Sequence, residues 1–188
     1  MAVRSQTKDK LAFALFTLMK GTPYSQISVS VLCAEAHVER STYYRNILSK
    51  EELVTHRIAL IMDEYLTSFV ASKQYTFEDY MLALFKTFKA NKAVFEALLK
   101  NNLGDLLLDS LQHSFDSASG MSEAPLEERY HLCFHVGGIY NYIRLWMCRD
   151  TEDTPAQLAH YVKSLFPEDF TPIRLRLMAT ALHDRANP

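Results

Sequence analysis

Apolar residues recur every three or four positions along most of the chain, which is the period of an α-helix. Leu11, Leu15 and Leu18 follow this spacing and predict a first helix near the N-terminus. No long stretch alternates between polar and apolar residues, as half-buried strands would. Only 5 Gly and 6 Pro interrupt the 188 residues. The pattern therefore predicts an all-α protein.

Capping and turn-forming residues divide the N-terminal third into short helices. Gly21 ends the first helix, Ser28 caps a second and Ser49 caps a long fourth one. Between them, His37 turns the chain from the second helix into a short third one. The whole pattern predicts helices over residues 7–20, 28–36, 39–46, 50–72, 76–89, 92–100, 103–118, 125–149, 155–165 and 172–185.

Basic residues are concentrated at the N-terminal end. Residues 1–50 contain seven basic and three acidic side chains, a net charge of +4, whereas the remaining residues have a net charge of −6. A basic end on an acidic body is typical of a protein that places that end on a polyanion such as DNA. An ordinary fluctuation of charge along the chain is the alternative that this feature leaves open.

The short third helix contains the side chains that recognition of DNA requires. A helix-turn-helix uses its second helix as a brace and inserts the next helix into the major groove. Guanidinium and hydroxyl groups for base edges and phosphates come from Arg40, Ser41, Thr42, Tyr43, Tyr44 and Arg45. The alternative for the two tyrosines is that they cover a small core.

From Leu11 to Leu53 the chain resembles the N-terminal DNA-binding domain of the TetR (tetracycline-repressor-like) family. The likeness rests on short motifs in the family's order and spacing: Phe16 and Gly21, Ile27-Ser28-Val29, Ala36-His37-Val38, Thr42-Tyr43-Tyr44 and Ser49-Lys50-Glu51-Glu52-Leu53. His37 replaces the family's usual turn glycine, and Ile47 replaces an aromatic residue. Histidine tolerates a positive φ better than most residues, so the turn remains feasible.

This resemblance implies a cytoplasmic, homodimeric transcriptional regulator, expected to be a repressor, that binds double-stranded operator DNA. Residues 1–50 would form the helix-turn-helix domain, and residues 51–188 would form a larger helical domain for ligand binding and dimerisation. Tyr44 and Lys50 would contact phosphates. The expected DNA-binding residues are Ser28, Arg40, Ser41, Thr42, Tyr43, Tyr44, Arg45 and Lys50.

The resemblance also suggests where two copies of the chain would meet. In one branch of the family, small residues in the penultimate long helix allow close packing, as Gly137-Gly138 would here. The dimer is therefore expected on the helices predicted at 126–149 and 155–165. Ile139 and Leu158 are the expected central contacts.

Aromatic residues are dense in the second half of the chain, which favours a small, apolar or aromatic effector held between the helices of residues 75–149. Core and dimer packing are the alternatives for each ring. His131 and His135 stand four residues apart, a spacing that can bind a metal, but no clear third ligand completes a site. A hydrogen-bonded or pocket-lining pair is favoured, and no metal or other cofactor is expected. The candidate ligand-binding residues are Phe85, Phe88, Phe95, Tyr130, Phe134 and His135.

Several other classes of protein are disfavoured. The sequence has no nucleophile elbow, glycine-rich phosphate loop or complete metal set, so no catalytic site is expected. The longest apolar run, near residues 132–148, is too short and too polar to span a bilayer. Three widely spaced cysteines indicate buried, reduced thiols in a cytosolic protein. Two rival functions stay open: a co-regulator of the same fold that binds a metabolite or protein without DNA, and a helical small-molecule-binding module without a regulatory role.

Overall fold

The structure, a computed structural model, describes residues 2–71, 76–119, 125–148 and 152–166. Within these ranges the regular elements are all helical, which confirms the predicted fold class. A 3₁₀ turn, Tyr24–Gln26, lies between the first two helices. The helices are α1 (Ala2–Leu18), α2 (Val29–Glu35), α3 (Arg40–Asn46), α4 (Lys50–Ala71), α5 (Phe77–Ala90), α6 (Lys92–Lys100), α7 (Gly104–Ser119), α8 (Leu126–Cys148) and α9 (Pro155–Lys163).

Side-chain caps begin the helices where the sequence predicts them. The Ser28 hydroxyl accepts a hydrogen bond from the backbone N–H of Val31 at the start of α2. Thr76 accepts one from the N–H of Asp79 at the start of α5. The first helix differs from its prediction, because α1 begins at Ala2 and ends three residues before Gly21. The predicted helix over residues 172–185 lies outside the described residues.

The turn between α2 and α3 depends on a residue with left-handed backbone. His37 has a φ of 51°, which confirms that histidine occupies the position where glycine is usual. The N–H of Val38 bonds to the carbonyl of Cys33 at 2.9 Å, and the N–H of His37 bonds to the carbonyl of Ala34 at 3.2 Å. This pair of bonds is the Schellman pattern, which satisfies carbonyls at the end of a helix.

The chain divides into two compact units, the first consisting of Met1–Leu60 and Ala93–Ser110. It contains the predicted domain of residues 1–50, together with the start of α4, most of α6 and the start of α7. An ion pair between Lys8 and Glu52 at 2.7 Å connects α1 to α4, and so does a hydrogen bond between His56 Nε2 and the Asp9 carboxylate at 2.6 Å. The fully buried apolar side chains of this unit include Leu11, Leu15, Leu32, Leu53, Ile58, Phe95 and Leu98.

The second unit consists of Ile61–Lys92 and Leu111–Pro188, and α5 packs against α9 within it. Lys163 on α9 and Glu78 on α5 form an ion pair of 3.5 Å. Aromatic rings dominate the core, where the side chains that are at most 3% exposed include Tyr65, Phe69, Phe77, Tyr80, Phe85, Phe88 and Phe115. No helix of the described residues is long and apolar enough to cross a membrane.

The cysteines differ from their prediction. Cys33 is buried in α2 as expected, but Cys133 and Cys148 are exposed on α8. Periodicity could not distinguish them, because both exposed cysteines lie in a helix that is apolar on more than one side.

We predict that His37→Gly stabilises the protein. Glycine adopts a positive φ without the steric cost that a Cβ adds, which is about 1 kcal/mol in this region. The exposed imidazole gives up little contact in exchange. The matched control is Ala34→Gly, three residues earlier within α2, which should cost about 0.5–1 kcal/mol. Thermal unfolding followed by circular dichroism measures both, and a lower midpoint for His37→Gly would refute the prediction.

Candidate nucleic-acid interface

Helix α3 presents a polar and basic surface to solvent. Arg40, Ser41 and Arg45 are exposed, and the Tyr44 side chain is 62% exposed. Arg40 is the first residue of the helix, the end from which a recognition helix usually contacts base edges. These four side chains therefore form a surface that can donate hydrogen bonds to base edges and phosphates.

Arg45 is held along the helix by its neighbours. Its Nε donates to the carbonyl of Ser41 at 3.3 Å, and its Nη2 donates to the hydroxyl of Thr42 at 3.2 Å. A guanidinium has five N–H groups, and these two contacts use only two of them. Arg45 is thereby pre-oriented while it keeps donors for a phosphate or a base.

Tyr43 does not share this surface, although the sequence grouped it with the DNA contacts. Its side chain is 3% exposed, and its ring meets that of Tyr44 edge to face, with 5.4 Å between the centroids. Burial also raises the pKa of Tyr43 above its ordinary value. Seven residues make two helical turns, so one side of α3 must face the core. Tyr43 supplies that buried side, and its ring also supports the ring of Tyr44.

Lys50, whose contact with phosphate stays a prediction, is bonded within the protein. Its ammonium group donates to the backbone carbonyl of Tyr24 at 2.9 Å and to that of Ile27 at 2.8 Å. The nitrogen lies 4.4 Å from the centre of the Tyr24 ring, a cation–π contact. The side chain is half-buried and directed at the segment between α1 and α2. Ser28, by contrast, is exposed and uses its hydroxyl to cap α2.

Sequence reasoning missed Tyr24, whose polar atoms contact two other segments. Its hydroxyl donates to the Glu51 carboxylate at 2.7 Å, and its backbone N–H donates to the Asn101 side-chain oxygen at 2.7 Å. Burial and the bond to Glu51 raise the pKa of Tyr24, while the same bond lowers the pKa of Glu51. The sequence did contain a signal for Tyr24, which is an aromatic residue directly after Pro23 in an otherwise polar loop.

Leu48 was missed as well. It lies between α3 and α4, is 96% exposed, and donates its backbone N–H to the Glu52 carboxylate at 2.8 Å. Exposed single leucines are common and need no explanation of their own. It nevertheless places an exposed apolar side chain two residues after the end of α3.

The candidate ligand-binding residues do not lie together: they differ in burial and belong to both units. Phe85 and Phe88 are fully buried in the second unit, whereas Phe95 is fully buried in the first. Tyr130 and Phe134 are 66% and 79% exposed on α8, so they do not line the interior of their unit. Periodicity could not separate these cases, because all five rings lie at helical spacing.

His135, the remaining candidate, belongs to a polar group inside the aromatic core. Its Nε2 lies 2.9 Å from the Tyr80 hydroxyl. The Tyr65 hydroxyl is fully buried and interacts with that of Tyr80, but the geometry between the two falls short of a full hydrogen bond. Burial raises the pKa of both tyrosines, so both stay protonated at neutral pH. His131 is exposed instead, and the described residues contain no cluster suited to a metal.

One side of α8 exposes apolar side chains at helical spacing. Leu126, Tyr130 and Phe134 are four residues apart and more than 60% exposed, and Leu145 is 51% exposed. Ile139 and Leu158, the expected central dimer contacts, are instead buried in the core of the unit at 3% and 5% exposure. The exposed apolar surface therefore lies on the other side of the helix from Ile139.

No protein-family model matches the chain, and no curated protein matches it either. Solved structures do share its fold. The crystal structure of Lin0861 from Listeria innocua aligns with a TM-score of 0.75 at 19% identity, over 87% of this chain and 91% of that one. The dihydroxyacetone kinase operon activator DhaS aligns with a TM-score of 0.53 at 20% identity, over 85% of this chain and 93% of that one. At these identities the likeness concerns the fold alone.

Proposed function

We propose that this chain is a DNA-binding transcriptional regulator of the TetR type. The observation that carries the proposal is the exposed surface of α3, where Arg40, Tyr44 and Arg45 point to solvent from a short helix after a Schellman turn. The motif resemblance of residues 11–53 supports it. So does the fold shared with DhaS, which is named as an operon activator.

Each exposed group on α3 has a distinct proposed role. Arg40, at the N-terminus of the helix, reads base edges, and Ser41 and Thr42 assist it. Arg45 and Tyr44 bind phosphates, and these contacts set the register of the helix on the duplex. Tyr43 is left out of this set because its ring is buried. Lys50 is also left out of this set, because its ammonium group is engaged within the protein.

The regulator acts as a homodimer that is joined through the exposed side of α8. Leu126, Tyr130, Phe134 and Leu145 expose apolar area that a second copy would remove from water. A two-fold interface uses the same patch twice, so one helix suffices to build it. Gly138 is exposed on α8, and a Cβ there would meet nothing within 4 Å, which leaves room for close approach.

A small, uncharged effector with an aromatic or apolar body binds in the second unit beside Tyr65, Tyr80 and His135. A buried hydroxyl without a partner costs about 1–3 kcal/mol. A ligand that supplies an acceptor to Tyr65 removes this cost, and the surrounding rings favour an apolar body. The rings around His135 include those of Tyr80, at 5.6 Å between centroids, Phe115, at 6.0 Å, and Phe77, at 6.3 Å.

For DNA binding, we predict that Arg40→Ala weakens affinity for one sequence by about 1–3 kcal/mol and relaxes preference at one base pair. Tyr44→Ala should weaken binding to all sequences. The assay is a mobility shift on DNA from the region upstream of the coding sequence. The control is Lys86→Ala, which removes an exposed charge from α5. A wild-type protein that binds no such DNA would instead favour a co-regulator or a ligand-binding module without DNA.

For the dimer, we predict that Phe134→Glu yields folded monomers, because the charge would be buried twice in a two-fold interface. The matched control is Phe13→Glu on α1, where the ring is similarly exposed at 70%. Light scattering should give twice the chain mass for the wild type and the control, and a single chain mass for Phe134→Glu. An unchanged dimer in that variant would exclude this side of α8.

For the effector, we predict that phenol, indole or 1-naphthol raises the thermal midpoint, because a ligand that binds only the folded state stabilises it. Tyr65→Phe should abolish most of this shift. The unliganded variant should be about as stable as the wild type, because the change removes a buried hydroxyl that lacks a full hydrogen bond. Stabilisation only by dihydroxyacetone, inorganic phosphate or glucose 6-phosphate would contradict an apolar effector.

A further inference from the structure

Tyr24 lies where three segments of the first unit meet. The 3₁₀ turn that contains it leads into α2, the N-terminus of α4 supplies Lys50 and Glu51, and the end of α6 supplies Asn101. The backbone N–H, the carbonyl, the hydroxyl and the ring face of Tyr24 are all in contact with these three side chains.

The ammonium group of Lys50 binds two carbonyls of this turn. It is 2.9 Å from the oxygen of Tyr24 and 2.8 Å from that of Ile27, and it lies over the Tyr24 ring. Ile27 directly precedes Ser28, the residue that caps α2. Lys50 therefore fixes the point where the brace helix begins. An ammonium group has three N–H donors, and two of them are used on these carbonyls.

Asn101 holds the same turn from the other side. It directly follows the last residue of α6, and its Nδ2 donates to the carbonyl of Ala97 at 2.8 Å. This leaves its Oδ1 to accept from the Tyr24 N–H. Asn102 follows with a φ of 58°, and Leu103 bonds back to Leu98 in a second Schellman ending. The amide is thus presented to Tyr24 by a defined turn rather than by a free loop.

We propose that Tyr24, Lys50 and Asn101 form a positioning junction for DNA recognition, and that Lys50 acts on DNA affinity through this junction rather than by contact with phosphate. The route to α3 is short. The turn at 24–27 fixes the start of α2, α2 ends in the Schellman turn at His37, and α3 follows three residues later. The inference rests on the proposed DNA-binding function.

The salt dependence of DNA binding separates the two possible roles of Lys50. Each phosphate contact releases counterions, so losing one lowers the slope of log affinity against log salt by about 0.9. Lys50→Met and Arg45→Met each remove one positive charge from the first unit. Loss of a phosphate contact in Arg45→Met should reduce the slope by about this amount. Lys50→Met should lower affinity about tenfold, since one hydrogen-bonded contact is typically worth that factor. It should leave the slope close to that of the wild type.

A variant of Asn101 tests the junction without a change of charge. Asn101→Leu should weaken binding by a similar factor without a change of slope. The double variant with Lys50→Met should lose less affinity than the product of the two single fold-losses, because both changes act on Tyr24. Asn101→Asp keeps the oxygen that accepts from Tyr24 and should retain most of the affinity. The matched control is Asn91→Leu, because Asn91 makes the same amide-to-carbonyl bond at the end of α5 in the second unit.

The experiment uses the full chain and a fluorescent duplex from its own upstream region, with anisotropy measured over a series of KCl concentrations. Circular dichroism confirms that each variant is folded, and Asn101→Ala, which lacks the same oxygen and should weaken binding similarly, replaces Asn101→Leu if that variant does not fold. A slope lowered by about one in Lys50→Met, or full affinity in folded Asn101→Leu, would overturn the junction while the wild type still bound DNA. Absence of binding by the wild type would instead refute the proposed function itself.

Discussion

Two helices of seven residues each, α2 and α3, are too short to be stable by themselves. Helices of this length have nearly all their N–H and C=O groups within four residues of an end, so their ends decide whether they form. The chain meets this constraint at both ends of α2. Ser28 caps α2, the left-handed His37 closes it, and Lys50 holds the segment before it. The exposed surface of α3 therefore depends on how the ends of α2 are bonded.

Burial supplies the rest of the stability of these helices. Leu32 from α2 is fully buried, and Tyr43 from α3 and Ile47 directly after it are each 3% exposed. Removing three such side chains from water is worth several kcal/mol at about 1.5–3 kcal/mol each. Because Tyr43 provides this burial, the adjacent Tyr44 can remain exposed without loss of the helix. Two identical neighbours in the sequence thus have different tasks, one in packing and one at the surface.

The sequence predicted helices, caps and the left-handed turn because these depend on neighbouring residues. Ser28, Thr76 and His37 act on backbone atoms within five positions, and their patterns are visible in the chain. The contacts of Lys50 and Asn101 with Tyr24 span 26 and 77 residues. Local periodicity contains no information on such pairs, so the role of Lys50 was assigned from the resemblance alone.

The sequence also could not show which aromatic side chains point into the core. Phe134 and Phe85 both fit an apolar face, yet one is 79% exposed and the other fully buried. A helix such as α8 has apolar residues on two sides, one for its own unit and one that a partner could cover. Its inward side contains Leu132, Val136, Ile139 and Ile143, all at most 5% exposed. A sequence pattern reports that both sides are apolar, and only the fold shows which one the chain itself buries.

The positively charged side chains of the N-terminal residues also differ in whether they are bonded within the protein or exposed. Lys8 is paired with Glu52, and Lys50 is bound to two carbonyls, so part of the charge serves contacts within the unit. Arg40 and Arg45, by contrast, are exposed on one short helix. A phosphate backbone attracts charge from any direction, but register requires donors at fixed positions. The net charge therefore favours approach to DNA, whereas the bonds that orient Arg45 along α3 determine what an approaching duplex would meet.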